Sequence, residues 1–196
     1  SPSPSTLLTT PQARAQLIVD VMAARGHARF AVVGHSFGGT TALATAALHP
    51  SKVTALALVN SVGITRHRGL QVPHELTRQV KHLAHVPVVG ERLLDVMLAT
   101  YARMGIRSEK VLGHDDVVAH TELIGGLDFA DLRAFAAQVT APALVVSAHD
   151  DKLVEPAVSF TLAQALSSTS LTTHRHKRSG GHFLQKHDAP AIAAWI

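Results

Sequence analysis

The stretch Ala31-Val32-Val33-Gly34-His35-Ser36-Phe37-Gly38-Gly39 decides how this chain folds. It reads as an apolar strand that runs into an abrupt turn, followed by a small-residue helix from Thr40 to Leu48. The turn carries the pattern G-x-S-x-G, from Gly34 to Gly38, with Ser36 at its centre. A serine hydroxyl is a weak nucleophile at its free pKa and has to be lifted clear of a sheet toward a base. A tight strand-to-helix turn does this, with backbone strain at the serine and close approach of the neighbouring turns. Gly34 and Gly38 are therefore expected where a Cβ would clash, with His35 packing beneath the turn. The next helix points its free N–H groups and the positive end of its dipole at the reacting atom. Glycine and serine are common, so the pattern alone is weak. Between Phe30-Ala31-Val32-Val33 and the Thr40–Leu48 helix it is strong.

Working outward, Ser1 to Pro11 is rich in Ser, Pro and Thr and reads as a loop. Residues 12–24 show a helical period at Ala15, Leu17, Ile18, Val21 and Met22, stopped by Gly26. Residues 28–34 form a nearly continuous apolar run, as expected for a strand buried on both faces of a parallel sheet. The helix after Ser36 ends at His49-Pro50, and residues 53–59 read as a second buried strand. From Ser61 to about Phe129 the texture changes. Charges and histidines multiply, and helices are expected over 75–85, 90–103 and 115–124. This stretch reads as an insertion between two strands, a lid or cap. A short helix over 131–138 then leads into a strand at Ala141-Pro142-Ala143-Leu144-Val145-Val146-Ser147. A helix over 157–166, a weaker strand over 170–176 and a helix from Ala189 onward complete the pattern. Strands alternating with helices argue an α/β fold with a parallel sheet. The organisation expected is a core over 1–62, a helical cap over 63–129 and the rest of the core over 130–196.

The bulk numbers narrow the function. With 46% hydrophobic and 16% charged residues the chain is not a disordered one. Aromatics are only 4%, so Ala, Leu and Val carry the core. The absence of cysteine excludes disulfides and thiolate metal sites. A formal charge of +4 with no basic stripe interleaved with aromatics argues against a nucleic-acid partner. No apolar run approaches the roughly 18 residues that span a membrane. Among 14 histidines, the nearest spacings are His82 with His85, His174 with His176, and His149 with Asp151. None follows the H-E-x-x-H helix pattern, so neither a metal nor a cofactor is expected. The run from His174 to Arg178 reads as a solvated strand end.

Three loops then matter, each at the C-terminal end of an expected strand, where α/β sheets place their sites. Ser36 follows the first, Asp150 and Asp151 the third, and His182 the fourth. The chain order Ser, Asp, His fits nucleophile, orienting acid and general base. On these residues the chain resembles the α/β-hydrolase superfamily. The resemblance rests on Gly34 to Gly39, His49-Pro50 and the strand after it, Ala141-Pro142 through Asp151-Lys152-Leu153-Val154-Glu155-Pro156, and Gly181-His182-Phe183. It covers about residues 12–62 and 130–196.

The resemblance implies Ser36 as nucleophile, His182 as base and Asp151, rather than Asp150, as acid. The family acid sits just before a hydrophobic-Val-Pro pattern, here interrupted by Glu155. It also implies the Phe37 N–H as one oxyanion donor, and a cap that roofs the site, whose apolar residues Leu93, Leu94, Val96, Met97 and Leu98 pack on the core or line an acyl pocket. Epoxide hydrolases and haloalkane dehalogenases carry Asp where this chain has Ser36. The expected activity is cleavage of an ester or related acyl bond of a small, largely apolar molecule. The alternatives are a non-catalytic binding protein of the same fold, or a C–C bond hydrolase or haloperoxidase-type relative. The upstream strands and the His-Gly loop that supplies a second oxyanion donor in this family have no counterpart before Pro11. The chain is therefore expected to lack the N-terminal part of the sheet and to turn over esters weakly on its own.

Overall fold

Each apolar run that ends in a polar residue becomes a strand, and each strand end carries a loop toward the same edge of one sheet. The computed structural model describes residues 8–70, 88–103, 119 and 122–195. The chain divides into two units, Pro11–Gln71 with Asp128–Ile196, and Ser1–Thr10 with Val72–Leu127.

The larger unit begins with helix α1 (Pro11–Ala24), strand β1 (Phe30–His35), helix α2 (Gly38–Leu48) and strand β2 (Val53–Val59). In the smaller unit lies α3 (Val89–Arg103). The larger unit resumes with α4 (Phe129–Ala136), β3 (Ala143–Ala148), α5 (Pro156–Ser167), β4 (Thr172–Lys177) and α6 (Gln185–Ala193). The four strands are parallel and lie in the order β1-β2-β3-β4. With sequential order and right-handed crossovers, the connecting helices of this unit fall on one face. Accordingly α2 packs on β1 and β2, α5 packs on β3 and β4, and α1 and α4 pack on α2. This explains the composition of α2. Gly39, Thr40, Ala42, Leu43, Ala44, Thr45, Ala46 and Ala47 are all buried, and only small side chains let one helix be covered on so many sides.

The opposite face is covered by the chain beyond β4. Ala57 and Val59 of β2, aligned with Leu144 and Val146 of β3, form an apolar layer with Leu184 and Ile192 of the α6 segment. That cover does not extend to β1, the edge strand of this sheet. Val32 is buried on the α2 side, whereas Val33 is 52% exposed, so among the described residues β1 is not the two-sided buried strand its apolar run predicts.

Three helix starts move by two or more residues from their expected places, α2 beginning at Gly38 rather than Thr40. The α4 helix begins two residues early because Asp128 caps it, its Oδ1 accepting the Ala130 N–H at 2.6 Å. The α6 helix begins at Gln185 and runs through Pro190. A proline in the second turn removes one intrahelical donor and does not stop a helix of this length.

In the smaller unit, α3 matches the helix expected over 90–103, and Glu91 sits favourably in its first turn. The expected helix over 75–85 lies outside the described residues, as does that over 115–124 apart from residues 119 and 122–124. Val96 is 63% exposed, and the side chains of Leu94, Met97 and Leu98 lie outside the described residues. Among the described residues no helix is long and apolar enough to cross a membrane.

Candidate active site

The turn after β1 holds Ser36 at φ +52°, a left-handed conformation that a serine adopts only under strain. Its carbonyl accepts the Gly39 and Val62 N–H groups and its own N–H donates to Val59, so the strained residue is tied on both sides. Close approach at Gly34 permits this turn. A Cβ there would lie 2.6 Å from Gly39 Cα and 2.8 Å from Ala42 Cβ. The second close approach is not at Gly38, whose added Cβ would meet nothing within 4 Å. It is at Gly39, where a Cβ would fall on Ser61 Oγ, because β2's end loop crosses the first turn of α2 there. Gly38→Ala is therefore expected to leave stability unchanged or raise it by up to about 1 kcal/mol. Gly34→Ala and Gly39→Ala should each lose about 1–3 kcal/mol or more to overpacking, as read by denaturant unfolding.

Ser36 Oγ lies 2.8 Å from His182 Nε2, and His182 Nδ1 lies 2.9 Å from Asp151 Oδ2. The Asp151 side chain is fully buried and that of His182 is 10% exposed. The other carboxylate oxygen, Oδ1, accepts the Leu153 N–H at 2.8 Å and the Val154 N–H at 3.0 Å. Burial alone would raise the Asp151 carboxyl. The bonds from His182, Val154 and Leu153 outweigh it and hold the group below its ordinary value, hence ionised. An ionised acceptor at Nδ1 puts the imidazole proton there and leaves the Nε2 lone pair facing the serine hydroxyl.

Asp150, the neighbouring carboxylate, faces a different partner. It accepts the Gly181 N–H at 2.8 Å and the Gly180 N–H at 3.3 Å. The Gly181 bond, against the effect of burial and with Gly180 adding to it, holds this carboxyl low. Asp150 thus latches the turn that precedes His182, and Asp151 faces the imidazole. That turn uses Gly180 at φ +140° and Gly181 at φ +58°, where other residues are strained.

Two residues near the imidazole do more than their place in the sequence suggests. Asn60, at the end of β2, is 1% exposed and sits at φ +41°. Its Nδ2 donates to the carbonyls of Gly181 at 2.8 Å and His182 at 2.9 Å, and its Oδ1 accepts the Ala148 N–H at 3.0 Å. One amide therefore joins the ends of β2 and β3 to the histidine loop. His35 does more than pack beneath the turn. Its Nε2 lies 2.8 Å from the His182 carbonyl, which accepts from it, and its ring stands 4.9 Å from that of His182. Burial pushes the His35 imidazole below its ordinary pKa, which keeps a second positive charge away from His182. The usable signal for Asn60 was asparagine's tolerance of left-handed backbone at a strand end.

The Phe37 N–H has no acceptor among the described residues and stands at the start of α2, where the helix dipole favours negative charge. His174 and His176 are not merely solvated. Each has a ring nitrogen at the buried Ser147 hydroxyl, 3.0 and 2.9 Å away. Among the described residues no three metal-ligating side chains are grouped as a metal site requires.

The family described as the alpha/beta hydrolase fold matches residues 9–189. The chain is 29% identical over 174 residues to "Putative carbamate hydrolase RutD" of Cronobacter turicensis, a match covering 86% of this chain and 64% of the relative. It is 30% identical over 178 residues to the protein of the same name from Klebsiella pneumoniae, covering 88% of this chain and 66% of that one. The chain thus spans somewhat less than two thirds of the length of these relatives. Among solved structures it resembles the enol-lactonase of Burkholderia xenovorans, with a TM-score of 0.67 and 24% identity over 95% of this chain and 71% of that one. That likeness speaks to the fold.

Proposed function

We propose, because this chain belongs to the alpha/beta hydrolase fold family, that it is a serine hydrolase that cleaves an ester or related acyl bond through an acyl-enzyme. The observation that carries this reading is the single imidazole of His182, within hydrogen-bond reach of Ser36 on one side and of buried Asp151 on the other. Ser36 Oγ attacks the acyl carbon as His182 Nε2 takes its proton. Asp151 holds the Nδ1 proton and stabilises the imidazolium that forms. The oxyanion is met by the Phe37 N–H and the start of α2. His182 returns its proton to the leaving group, and the cycle repeats with water as the nucleophile and the acyl-enzyme as substrate. In this reading residues 1–62 and 130–196 are the hydrolase core and residues 63–129 the inserted cap.

The relatives bearing a carbamate-hydrolase name make carbamates the related bond to set beside esters. A carbamate carbonyl is less electrophilic than an ester's, so it depends more on the oxyanion donors. The test is burst kinetics with an activated aryl ester and the matching aryl carbamate. A burst of one phenol per protein, with slower deacylation of the carbamate and no burst in Ser36→Ala, supports the reading. Release without a burst, unchanged by Ser36→Ala, refutes it. Ligand binding without turnover would favour the non-catalytic alternative.

A further inference from the structure

Behind the acid loop lies a second buried imidazole that takes no part in the acyl transfer. His67 follows β2, is 6% exposed, and leads into a short 3-10 turn, Arg68–Leu70. Its Nδ1 lies 3.0 Å from the Leu153 carbonyl oxygen, and the Gly69 N–H reaches the same oxygen at 2.8 Å. Arg68 donates its N–H to Glu155 Oε2 at 2.9 Å. The packing is close: a Cβ on Gly69 would come within 3.1 Å of the His67 ring and 3.2 Å of the Leu153 oxygen.

We infer that His67 is a positioning residue for Asp151, acting through the planar peptide group between Leu153 and Val154. The lever is covalent. The Leu153 carbonyl and the Val154 N–H belong to one rigid peptide unit and point in opposite directions. His67 and Gly69 grip the oxygen end, and the hydrogen end donates to Asp151 Oδ1 at 3.0 Å. Holding the oxygen therefore fixes the donor that aims the carboxylate at His182. This inference rests on the reading of Asp151 as the orienting acid.

Two details favour this role over simple filling of space. The Leu153 oxygen can only accept, so the 3.0 Å contact is a hydrogen bond when Nδ1 carries the proton; the Gly69 N–H, which also lies 3.1 Å from that nitrogen, then serves the Leu153 oxygen at 2.8 Å. The other nitrogen, Nε2, is buried with no partner among the described residues. A side chain that only filled the site would do so with less loss as an apolar group, which leaves no buried acceptor unsatisfied. Around the ring stand Glu155, Asp151 and His182. Burial lowers its pKa first, the Leu153 carbonyl and the two carboxylates oppose this, and His182 adds to it, leaving the ring neutral near pH 7.

The test uses three variants. His67→Asn keeps a donor near the place of Nδ1, His67→Gln offers one near the place of Nε2, and His67→Leu offers none. The readouts are the low-field proton resonance of the His182–Asp151 hydrogen bond, the turnover number per site titrated with a fluorophosphonate, KM, and the unfolding midpoint. His67→Leu and His67→Gln should broaden the resonance and lower turnover per titrated site on the order of 10- to 100-fold with KM nearly unchanged, as small misplacements of a catalytic group do. His67→Asn should restore both. The inference is overturned if His67→Leu lowers only the midpoint or the number of titratable sites, or if His67→Asn behaves as Leu does. Should the Leu variant not fold, the Asn and Gln variants decide between these outcomes. If the wild-type protein cleaves no ester or carbamate but the resonance responds as described, the acyl-transfer reading falls and the positioning role stands.

Discussion

Under the proposed acyl transfer, Asp151→Asn is expected to lower turnover of an activated ester by about 10⁴-fold and to leave the fold in place. The reason is a choice of tautomer forced by two backbone groups. Leu153 and Val154 both donate N–H to Oδ1 of residue 151 and can do nothing else there. In the variant the amide oxygen must stay on those donors, which turns the NH₂ toward His182 Nδ1. The imidazole then presents a lone pair at Nδ1 and carries its proton on Nε2, facing Ser36 Oγ. It can no longer take the serine proton. The backbone hydrogen bonds of the loop survive, so the unfolding midpoint should move little while the acylation rate collapses. Stopped-flow acylation beside a denaturant titration separates the two effects. Asp150→Asn is the matched control. Asp150 accepts the Gly181 N–H on Oδ1 and the Gly180 N–H on Oδ2, so its amide oxygen can keep the shorter Gly181 bond while the 3.3 Å Gly180 bond is given up, and the loss should stay below about tenfold.

The second large effect is on stability as well as rate. Asn60→Ala strips the acceptor from the Ala148 N–H, buried at the end of β3, and one donor from the Gly181 carbonyl, half-buried in the turn before His182. Each orphaned buried group costs about 1–3 kcal/mol. Forcing alanine to φ +41° adds about 1 kcal/mol. A total of about 3–7 kcal/mol is a large part of the roughly 5–15 kcal/mol that holds an ordinary domain together. The His182 carbonyl keeps its bond from His35, so the loop is loosened rather than released. Turnover at a temperature where the variant is still folded should fall as the His182 ring loses its fixed aim. Asn60→Asp separates packing from hydrogen bonding. It keeps the shape but sets a carboxylate oxygen against two carbonyl oxygens, so its pKa must rise on folding. A raised folded pKa stabilises only while the group stays protonated. Asn60→Asp should therefore be most stable in acid and lose stability as pH climbs through that raised value, the reverse of an ordinary buried aspartate.

The sheet and its loops were legible because parallel strands buried in an α/β layer are short apolar runs, and the run at Ala31, the run at Val53 and the run at Ala143 have that form. The weaker strand, Thr172–Lys177, is the other edge, where half-exposed positions dilute the pattern. Ser36 was legible because a strand-to-helix turn around a serine restricts its neighbours. Which glycine the turn needs was not. Gly38 and Gly39 differ only in what crosses them, and Ser61 comes from another strand. Asn60 and His67 were hidden for the same reason. Their partners, Ala148, Gly181 and Leu153, lie 86 to 121 residues away and are backbone atoms, which leave no trace in side-chain spacing. The choice of Asp151 over Asp150 rested on family pattern alone, since adjacent carboxylates read alike until the direction of each is known.

The most direct measurement is covalent. The protein is treated with a fluorophosphonate at neutral pH, digested, and the adduct mapped by mass spectrometry. A single adduct on Ser36 is expected, formed far more slowly in Asp151→Asn and absent in Ser36→Ala. An unmodified Ser36 in folded protein, or labelling that persists in Ser36→Ala, would contradict the assignment of Ser36, His182 and Asp151 as one acyl-transfer unit.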